Sequence, residues 1–226
     1  METYTHLIWD FNGTLLDDVQ EEFEAANRLL RRHGLPALAS VDVYRSLFRF
    51  PVIEYYRLIG FDFSRTPFAV LADEWMEDYR AHAGRLGLFP EIPGLLTELR
   101  RRGVRQSVLS ATNRTMLEEQ LRVLGVLSLF DEITGADDFH AYGKEHLAAL
   151  WREAHPGARP LFIGDTDHDA EAARVMGADV ILLECGHQSR EKLEAAHPLL
   201  ICARPGAIPF DNLPGPRLFR TENGDL

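Results

Sequence analysis

What most constrains this chain is a rhythm. Short apolar runs alternate with stretches of helical spacing, and several of the runs stop at a polar or acidic residue. "HLIW" (6–9), "QSVLSA" (106–111), "PLFIGD" (160–165), "DVILLE" (179–184) and "LLICA" (199–203) read as buried strands, and "FDEITG" (130–135) as a less apolar one. Between them, Asn113 to Leu124, Lys144 to Ala154, Asp169 to Met176 and Ser189 to Ala196 read as helices, with Gly125 and Gly177 where helix stops belong. Apolar strands separated by helices are the pattern of a parallel sheet with crossover helices on its faces. The rhythm therefore predicts a doubly wound α/β fold.

Residues 17–88 break the rhythm: they contain no evident strand but about four helical segments. Val19, Phe23, Ala26 and Leu30 recur at helical spacing before Gly34 and Pro36 close the run. A second helix is expected from Ser40, and a third from Pro51 to Gly60. A fourth opens with Thr66 as cap and Pro67 at the first helical position, and carries the stripe Phe68, Leu71, Trp75, Tyr79. A helical insert directly after the first strand predicts a separate small helical domain at 17–88, set into a core made of 1–16 and 89–205. Its two connections, near 15–18 and 85–93, are candidate hinges. From Arg204 the chain is rich in Pro and Gly, so 206–226 is expected to be a loose tail.

Charge narrows the partners. A net charge of −11 argues against nucleic-acid binding, which needs clustered Lys and Arg, but it leaves room for a small anionic substrate at a locally cationic site. The two cysteines, Cys185 and Cys202, have neither metal-ligand spacing nor a disulfide framework, which fits a reducing cytoplasm. "METYTHLIWD" lacks the blocks of a signal peptide, and no apolar run approaches membrane-spanning length. Nothing in the sequence sets the oligomeric state.

In an open parallel sheet, ligands bind beyond the carboxyl ends of the strands. Asp10, Ser110 and Asp165 fall at such ends, and Asp169 lies just past one. Three carboxylates sharing a crevice repel one another unless a cation sits among them. A few hard oxygen ligands suit Mg2+, which keeps water and substrate phosphate in its shell.

These segments carry a resemblance. "DFNGTL" followed by a helical insert, "VLSAT", the lysine of "YGKEHL" and "IGDTDHDAEAARVMGA", in that order, resemble the four motifs of the haloacid dehalogenase-like hydrolase superfamily. "FPEIPGLLTELRRRG" (89–103) is similar to that family's return from cap to core. The subgroup it resembles has an α-helical cap after the first motif, as in phosphoglycolate phosphatase-like enzymes and β-phosphoglucomutase.

The resemblance implies a Rossmann-like core and a small phosphorylated substrate. It implies that Asp10 is the nucleophile, forming an aspartyl-phosphate. A carboxylate suits the task, being already ionised at neutral pH. Ser110 and the Ala111 amide would hold phosphoryl oxygens, with Gly13 and Thr14 of the first motif beside them. Lys144 would neutralise nucleophile and phosphoryl group, although Glu145 stands where a proline often follows this lysine. Asp165, with Asp10 and the Asn12 backbone carbonyl, would hold Mg2+; Asp169 would be an outer-shell group or an occasional ligand. Asp167 and His168 are expected to face solvent or the cap. In the substrate-facing cap segment "SLFRFP" (46–51), Arg49 is the candidate for a carboxylate or second phosphate, ahead of Arg45 and Arg57. Phe48 and Phe50 line a pocket or pack the cap; His140, Tyr142 and His187 border the crevice without an assignable role.

One position departs from the family. Most of its phosphatases carry a second aspartate two residues after the nucleophile, as general acid and base; here the residue is Asn12, whose amide cannot exchange a proton. Three readings follow: a phosphatase for substrates with good leaving groups, a weak or inactive protein that binds a phosphorylated ligand, or a metal-independent dehalogenase. The retained Asp165 and Asp169 argue against the last.

Overall fold

A computed structural model describes residues 3–136 and 144–218. The elements run β1 (His6–Trp9), β2 (Leu16–Asp17), α1 (Val19–Arg32), α2 (Val41–Leu47), α3 (Val52–Leu58), α4 (Phe68–His82), β3 (Gly87–Leu88), α5 (Ile92–Arg101) and β4 (Gln106–Asn113). They continue with α6 (Arg114–Val123), β5 (Glu132–Ala136), α7 (Lys144–Ala154), β6 (Pro160–Gly164), α8 (Asp167–Met176), β7 (Asp179–Leu183), α9 (Arg190–Ala195) and β8 (Leu200–Cys202). Six strands form one parallel sheet in the order β5-β4-β1-β6-β7-β8. All six were expected from the apolar runs.

The strands are apolar throughout because both faces of the sheet are covered. Successive residues point to opposite faces, so Leu7, Trp9, Leu161, Ile163, Ile181 and Leu183 enter one core cluster. Their neighbours Ile8, Phe162, Val180 and Leu182 enter the other. A third cluster, built on Val19, Leu30, Tyr44, Tyr55, Tyr56 and Leu71, belongs to the inserted helical region. The stripe on α1 and the aromatic positions of α3 and α4 are what that cluster buries.

Two expectations need correction. The insert is bounded by strands: β2 and β3 pair antiparallel, Leu16 opposite Leu88 and Asp17 opposite Gly87, tying together the two crossings between core and helices. Two-residue strands are too short to show a period. Residues 205–218 are also not loose. Ile208, Phe210 and Leu218 are buried in the same cluster as Leu7, and the Tyr4 N–H donates to the Arg217 carbonyl at 2.8 Å. Pro and Gly exclude long elements there, but not packing.

Candidate active site

β1 lies between β4 and β6, with Trp9 level with Val108 and Ile163, so Asp10 is the first residue past the sheet at its centre. Lys144 opens α7, and Asp165 and Asp169 flank the start of α8. All four are buried, none more than 3% exposed. Lys144 Nζ is 2.6 Å from an oxygen of Asp10 and 2.6 Å from one of Asp169. Asp10, Asp165 and Asp169 each offer an oxygen within 4.8 Å of the others.

Each carboxylate has a distinct second task. Asp169 Oδ2 accepts from the Asp165 N–H (3.0 Å), the Thr166 N–H (2.9 Å) and the Thr166 hydroxyl (2.7 Å), closing a capping box on α8. Its Oδ1 lies 2.6 Å from Lys144 Nζ, so both oxygens of Asp169 are engaged within the protein. Asp165 is held by the Thr14 hydroxyl (3.1 Å) and the His187 N–H (2.7 Å). The Thr14 hydroxyl is therefore committed to a carboxylate rather than presented to a substrate. Crowding makes two glycines obligatory. A Cβ on Gly13, whose φ is +70°, would lie 2.4 Å from Asp165 Oδ2, and one on Gly186 would lie 2.1 Å from Asp165 Cβ.

The electrostatics show what the cluster lacks. Burial, then the Asp169 charge, push the Asp10 carboxyl well above its ordinary range against the pull of Lys144. Asp165 is pushed up to about 6, chiefly by burial. Burial also works against Asp169, yet Lys144 and the Thr166 hydroxyl hold it below the ordinary range. Lys144 stays firmly protonated, since Asp10 and Asp169 outweigh its own burial. Lys144 pairs with Asp10 and Asp169, Asp165 has no ion pair of its own among the described residues, and Asp10 Oδ1 takes no directed hydrogen bond beyond its pairing with Lys144. An all-oxygen donor set short of positive charge fits a divalent cation at Asp10 and Asp165.

Asn12 is fully engaged. Its Nδ2 donates to Asp18 Oδ2 at 2.6 Å, and its Oδ1 accepts from the Thr112 hydroxyl at 3.0 Å. Ser110 is buried within β4, just past Leu109 where the pairing with β5 shifts register, and there its oxygen accepts the Thr112 N–H (3.1 Å) and its hydroxyl donates to Thr112 Oγ1 (3.1 Å). Ala111 beside it is half-buried.

Sequence reasoning missed Asp18 and left His187 without a role. Asp18 is 1% exposed and precedes α1, where capping would be its default task, but its side chain makes no cap bond. It accepts instead from the Gly13 N–H (2.8 Å), from Asn12, and from His187 Nε2 (3.1 Å); the other ring nitrogen of His187 meets the Tyr44 hydroxyl at 2.8 Å. Burial disfavours the imidazolium, but Asp18 overrides it and carries His187 up to about 9. Asp18 has no signature in sequence beyond its place before a helix.

The helical region is fastened to the core beside this site. Arg45 donates to the carbonyls of Gly186 (2.8 Å) and Cys185 (2.9 Å), so it is a fastening group. Lys192 Nζ donates to the Phe48 carbonyl at 2.6 Å. Phe50 stacks on His168 at 4.4 Å, which places His168, itself buried, against the cap region rather than solvent. Asp167 is half-buried and accepts from Gln188 at 2.7 Å. Phe48 packs among Tyr44, Tyr55 and His187. Arg57 pairs with Glu54 on the surface. Arg49 is half-buried; its Nε is enclosed without a hydrogen-bond partner, and its charge bears on Lys192. His140 and Tyr142 lie outside the described residues.

At the centre of the parallel sheet a buried aspartate is thus paired with a lysine and flanked by two more carboxylates, a set that could hold a metal ion. The chain belongs to the haloacid dehalogenase-like hydrolases, whose family model matches residues 7–183. It is 28% identical to a phosphoglycolate phosphatase of Synechococcus elongatus, over 85% of this chain and 89% of that one. It is also 28% identical to the tyrosine-protein kinase PtkA of Mycobacterium tuberculosis, over 80% of this chain and 62% of that one. A haloacid dehalogenase-like hydrolase from Streptococcus pneumoniae shares the fold, with a TM-score of 0.77 at 20% identity over 89% of this chain and 95% of that one. By family and relatives the chain is an enzyme of the phosphatase kind. Among the described residues no helix is long and apolar enough to cross a membrane.

Proposed function

We propose that this enzyme hydrolyses a small phosphorylated metabolite through an aspartyl-phosphate on Asp10, and that it works on substrates whose leaving group needs little protonation. The observation that carries the reading is the state of the Asn12 side chain, whose amide nitrogen donates to Asp18 and whose amide oxygen accepts from Thr112. Mg2+, when bound at Asp10, Asp165 and the Asn12 backbone carbonyl, would align the phosphate and offset charge between two anions.

The chain's own residues do the rest. Asp10 attacks phosphorus. Lys144, held between Asp10 and Asp169, remains a cation and offsets charge on nucleophile and phosphoryl oxygens. We assign the phosphoryl oxygens to the Ser110 hydroxyl, once turned from Thr112, and the Ala111 N–H, with Gly13 beside them although its N–H is held by Asp18, and a second cation to Arg49 of the cap region. Position 12 protonates no leaving oxygen. General acid–base help is worth about 10² to 10⁴-fold. The P–O bond to the leaving group breaks in forming the aspartyl-phosphate, the step that kcat/KM reads. There an alkyl ester loses most of that factor, while an acyl, aryl or anhydride phosphate loses little. The water that then hydrolyses the aspartyl-phosphate lacks a base at position 12 whatever the substrate. Cys185 and Cys202 are unpaired, which accords with our placing the enzyme in the reducing cytoplasm.

The test is a series of phosphate esters and acyl phosphates with Mg2+. The kcat/KM ratio should rise steeply as the leaving group becomes more acidic, and Asp10→Asn should abolish turnover. A flat dependence would overturn the role given to Asn12. Binding without turnover on any member would favour a phospho-ligand-binding protein of the same fold.

A further inference from the structure

Two neighbouring residues of α2 clasp the loop that follows β7. The Tyr44 hydroxyl meets His187 Nδ1 at 2.8 Å. Arg45 donates through Nη2 to the Cys185 carbonyl at 2.9 Å and through Nε to the Gly186 carbonyl at 2.8 Å. The loop returns a bond of its own, the Ser189 N–H donating to the Arg45 carbonyl at 3.3 Å. A guanidinium is thus committed to two backbone carbonyls rather than to a carboxylate, and one of those carbonyls has a partner on its far side.

That partner is reached through the peptide joining Gly186 to His187. Its carbonyl takes Arg45 Nε at 2.8 Å, and its N–H donates to Asp165 Oδ2 at 2.7 Å. One rigid plane therefore carries a cap-region guanidinium at one edge and a metal-side carboxylate at the other. The plane is pressed onto that carboxylate, since a Cβ on Gly186 would lie 2.1 Å from Asp165 Cβ and 2.2 Å from its Oδ2. With no slack between them, a shift of the peptide must move Asp165 or break its bond. A cation on the carbonyl also polarises the amide, so the N–H is a stronger donor while Arg45 is seated. Thr14 holds the other oxygen, Oδ1, at 3.1 Å. Lys192 fastens the same cap region by a separate route: its Nζ donates to the Phe48 carbonyl at 2.6 Å, a bond that includes neither the peptide nor Asp165.

We propose that Arg45 is a positioning residue for the metal site: it sets Asp165 through the Gly186–His187 peptide, so that seating of α2 on the core and affinity for Mg2+ are linked. The inference rests on the reading above for placing the cation at Asp165, but it is tested by binding rather than by turnover. Linkage is reciprocal, so the factor that the seated helix adds to Mg2+ affinity is the factor that Mg2+ adds to seating.

Calorimetric titration of Mg2+ into the full chain, well below its unfolding temperature, measures the effect. Arg45→Met keeps the apolar stem and removes every donor. It should weaken Mg2+ binding about tenfold, the lower end of what losing a group that orients a metal ligand costs. Arg45→Lys can keep one of the two bonds and should recover part of that loss. Lys192→Met loosens the same region elsewhere and should stay within about twofold of wild type. Hydrogen exchange gives the reverse reading: Mg2+ should slow the amides of α2 in wild type and leave them unchanged in Arg45→Met. Should Arg45→Met fail to fold, Arg45→Gln takes its place, with a loss of at least about threefold expected. Wild-type affinity in the Met or Gln variant, an equal loss in Lys192→Met, or no Mg2+ binding by wild type would overturn the proposal. Turnover is read separately: its absence, with this ranking of affinities intact, would sink the phosphatase reading and leave the linkage standing.

Discussion

Asn12→Asp restores the acid that the family usually carries, and the structure says what else it does. Asn12 Nδ2 lies 2.6 Å from Asp18 Oδ2, and Asp18 is 1% exposed, so the new carboxylate would face an old one at hydrogen-bond distance in a buried site. Two unit charges about 3 Å apart repel by roughly 5 kcal/mol at an effective dielectric near 20. Protonating a carboxyl of ordinary pKa at pH 7 costs about 4 kcal/mol. The pair therefore takes up a proton, and the resulting O–H···O⁻ bond returns part of that cost, roughly 1.5–3 kcal/mol. The variant should lose about 1–3 kcal/mol at pH 7. Its folded pair holds a carboxyl whose pKa is raised above the unfolded value, so the loss should shrink as pH falls toward 5 and grow toward pH 8. Asn12→Asp/Asp18→Asn exchanges donor and acceptor, keeps one carboxylate, and should recover to within about 1 kcal/mol of wild type. Urea unfolding of the chelated protein at pH 5, 7 and 8, for wild type, both singles and the double, measures this as a cycle. A coupling energy near zero, or a single-variant loss independent of pH, would refute the reasoning. In kinetics with Mg2+, the double should hydrolyse alkyl phosphates faster than wild type, since position 12 is then a lone carboxylate.

Further outcomes follow from the same geometry. Lys144→Met leaves Asp10 and Asp169 without their shared cation and should cost about 3–5 kcal/mol in chelated protein, less with saturating Mg2+; equal losses in both conditions would contradict cation relief. Mg2+ at about 100 times its Kd should stabilise the fold by about 2.7 kcal/mol, seen as a rise in Tm, and Asp165→Asn should remove most of that increment. Gly186→Ala drives a methyl to 2.1 Å from Asp165 Cβ, so it should abolish the Mg2+ response before it abolishes folding. Remote from the site, Arg28 grips Asp78 through Nε (3.0 Å) and Nη2 (2.6 Å); although burial opposes its charge, Asp78 is held below the ordinary carboxylate range. Its contribution is therefore present above about pH 4 and fades as pH falls through the lowered value. Asp78→Asn should cost about 1 kcal/mol at pH 7, allowing for solvent screening, and progressively less as pH falls below about 4.

The sheet was legible because strands buried on both faces leave an unbroken apolar record. Trp9, Phe162 and Ile181 have no exposed surface, and each stands in a run that reads the same in sequence. β2 and β3 were illegible because two residues carry no periodicity. The packing of 208–218 was hidden because single apolar residues among prolines signal nothing until Leu7 and Trp9 supply the surface they cover. At the site, Asp10, Asp165 and Asp169 stand out because they fall at or just past strand ends, and the order of those strands fixes which ends meet; Lys144 shows only through the family resemblance, since a lysine opening a helix is ordinarily surface.

Asp18 and His187 escaped for a different reason. Their roles come from a turn and a fastening rather than from any element's own pattern. Gly13 at φ +70° folds the chain back so that its own N–H reaches Asp18 and the amide at 12 comes within 2.6 Å of it. The carboxylate absent from position 12 thus reappears six residues on, touching the same place from behind. His187 arrives from 169 residues away because its N–H anchors Asp165, and the same ring then bridges Asp18 to Tyr44 of the cap region. One residue therefore links the metal-side carboxylate, the substituted acid position and the cap helices. It follows that Asn12 is not an isolated loss. The amide is the donor that a buried Asp18 requires, and an aspartate at 12 is incompatible with Asp18 unless the two share a proton. A chain that reverts one of these positions without the other should be less stable than either matched pair.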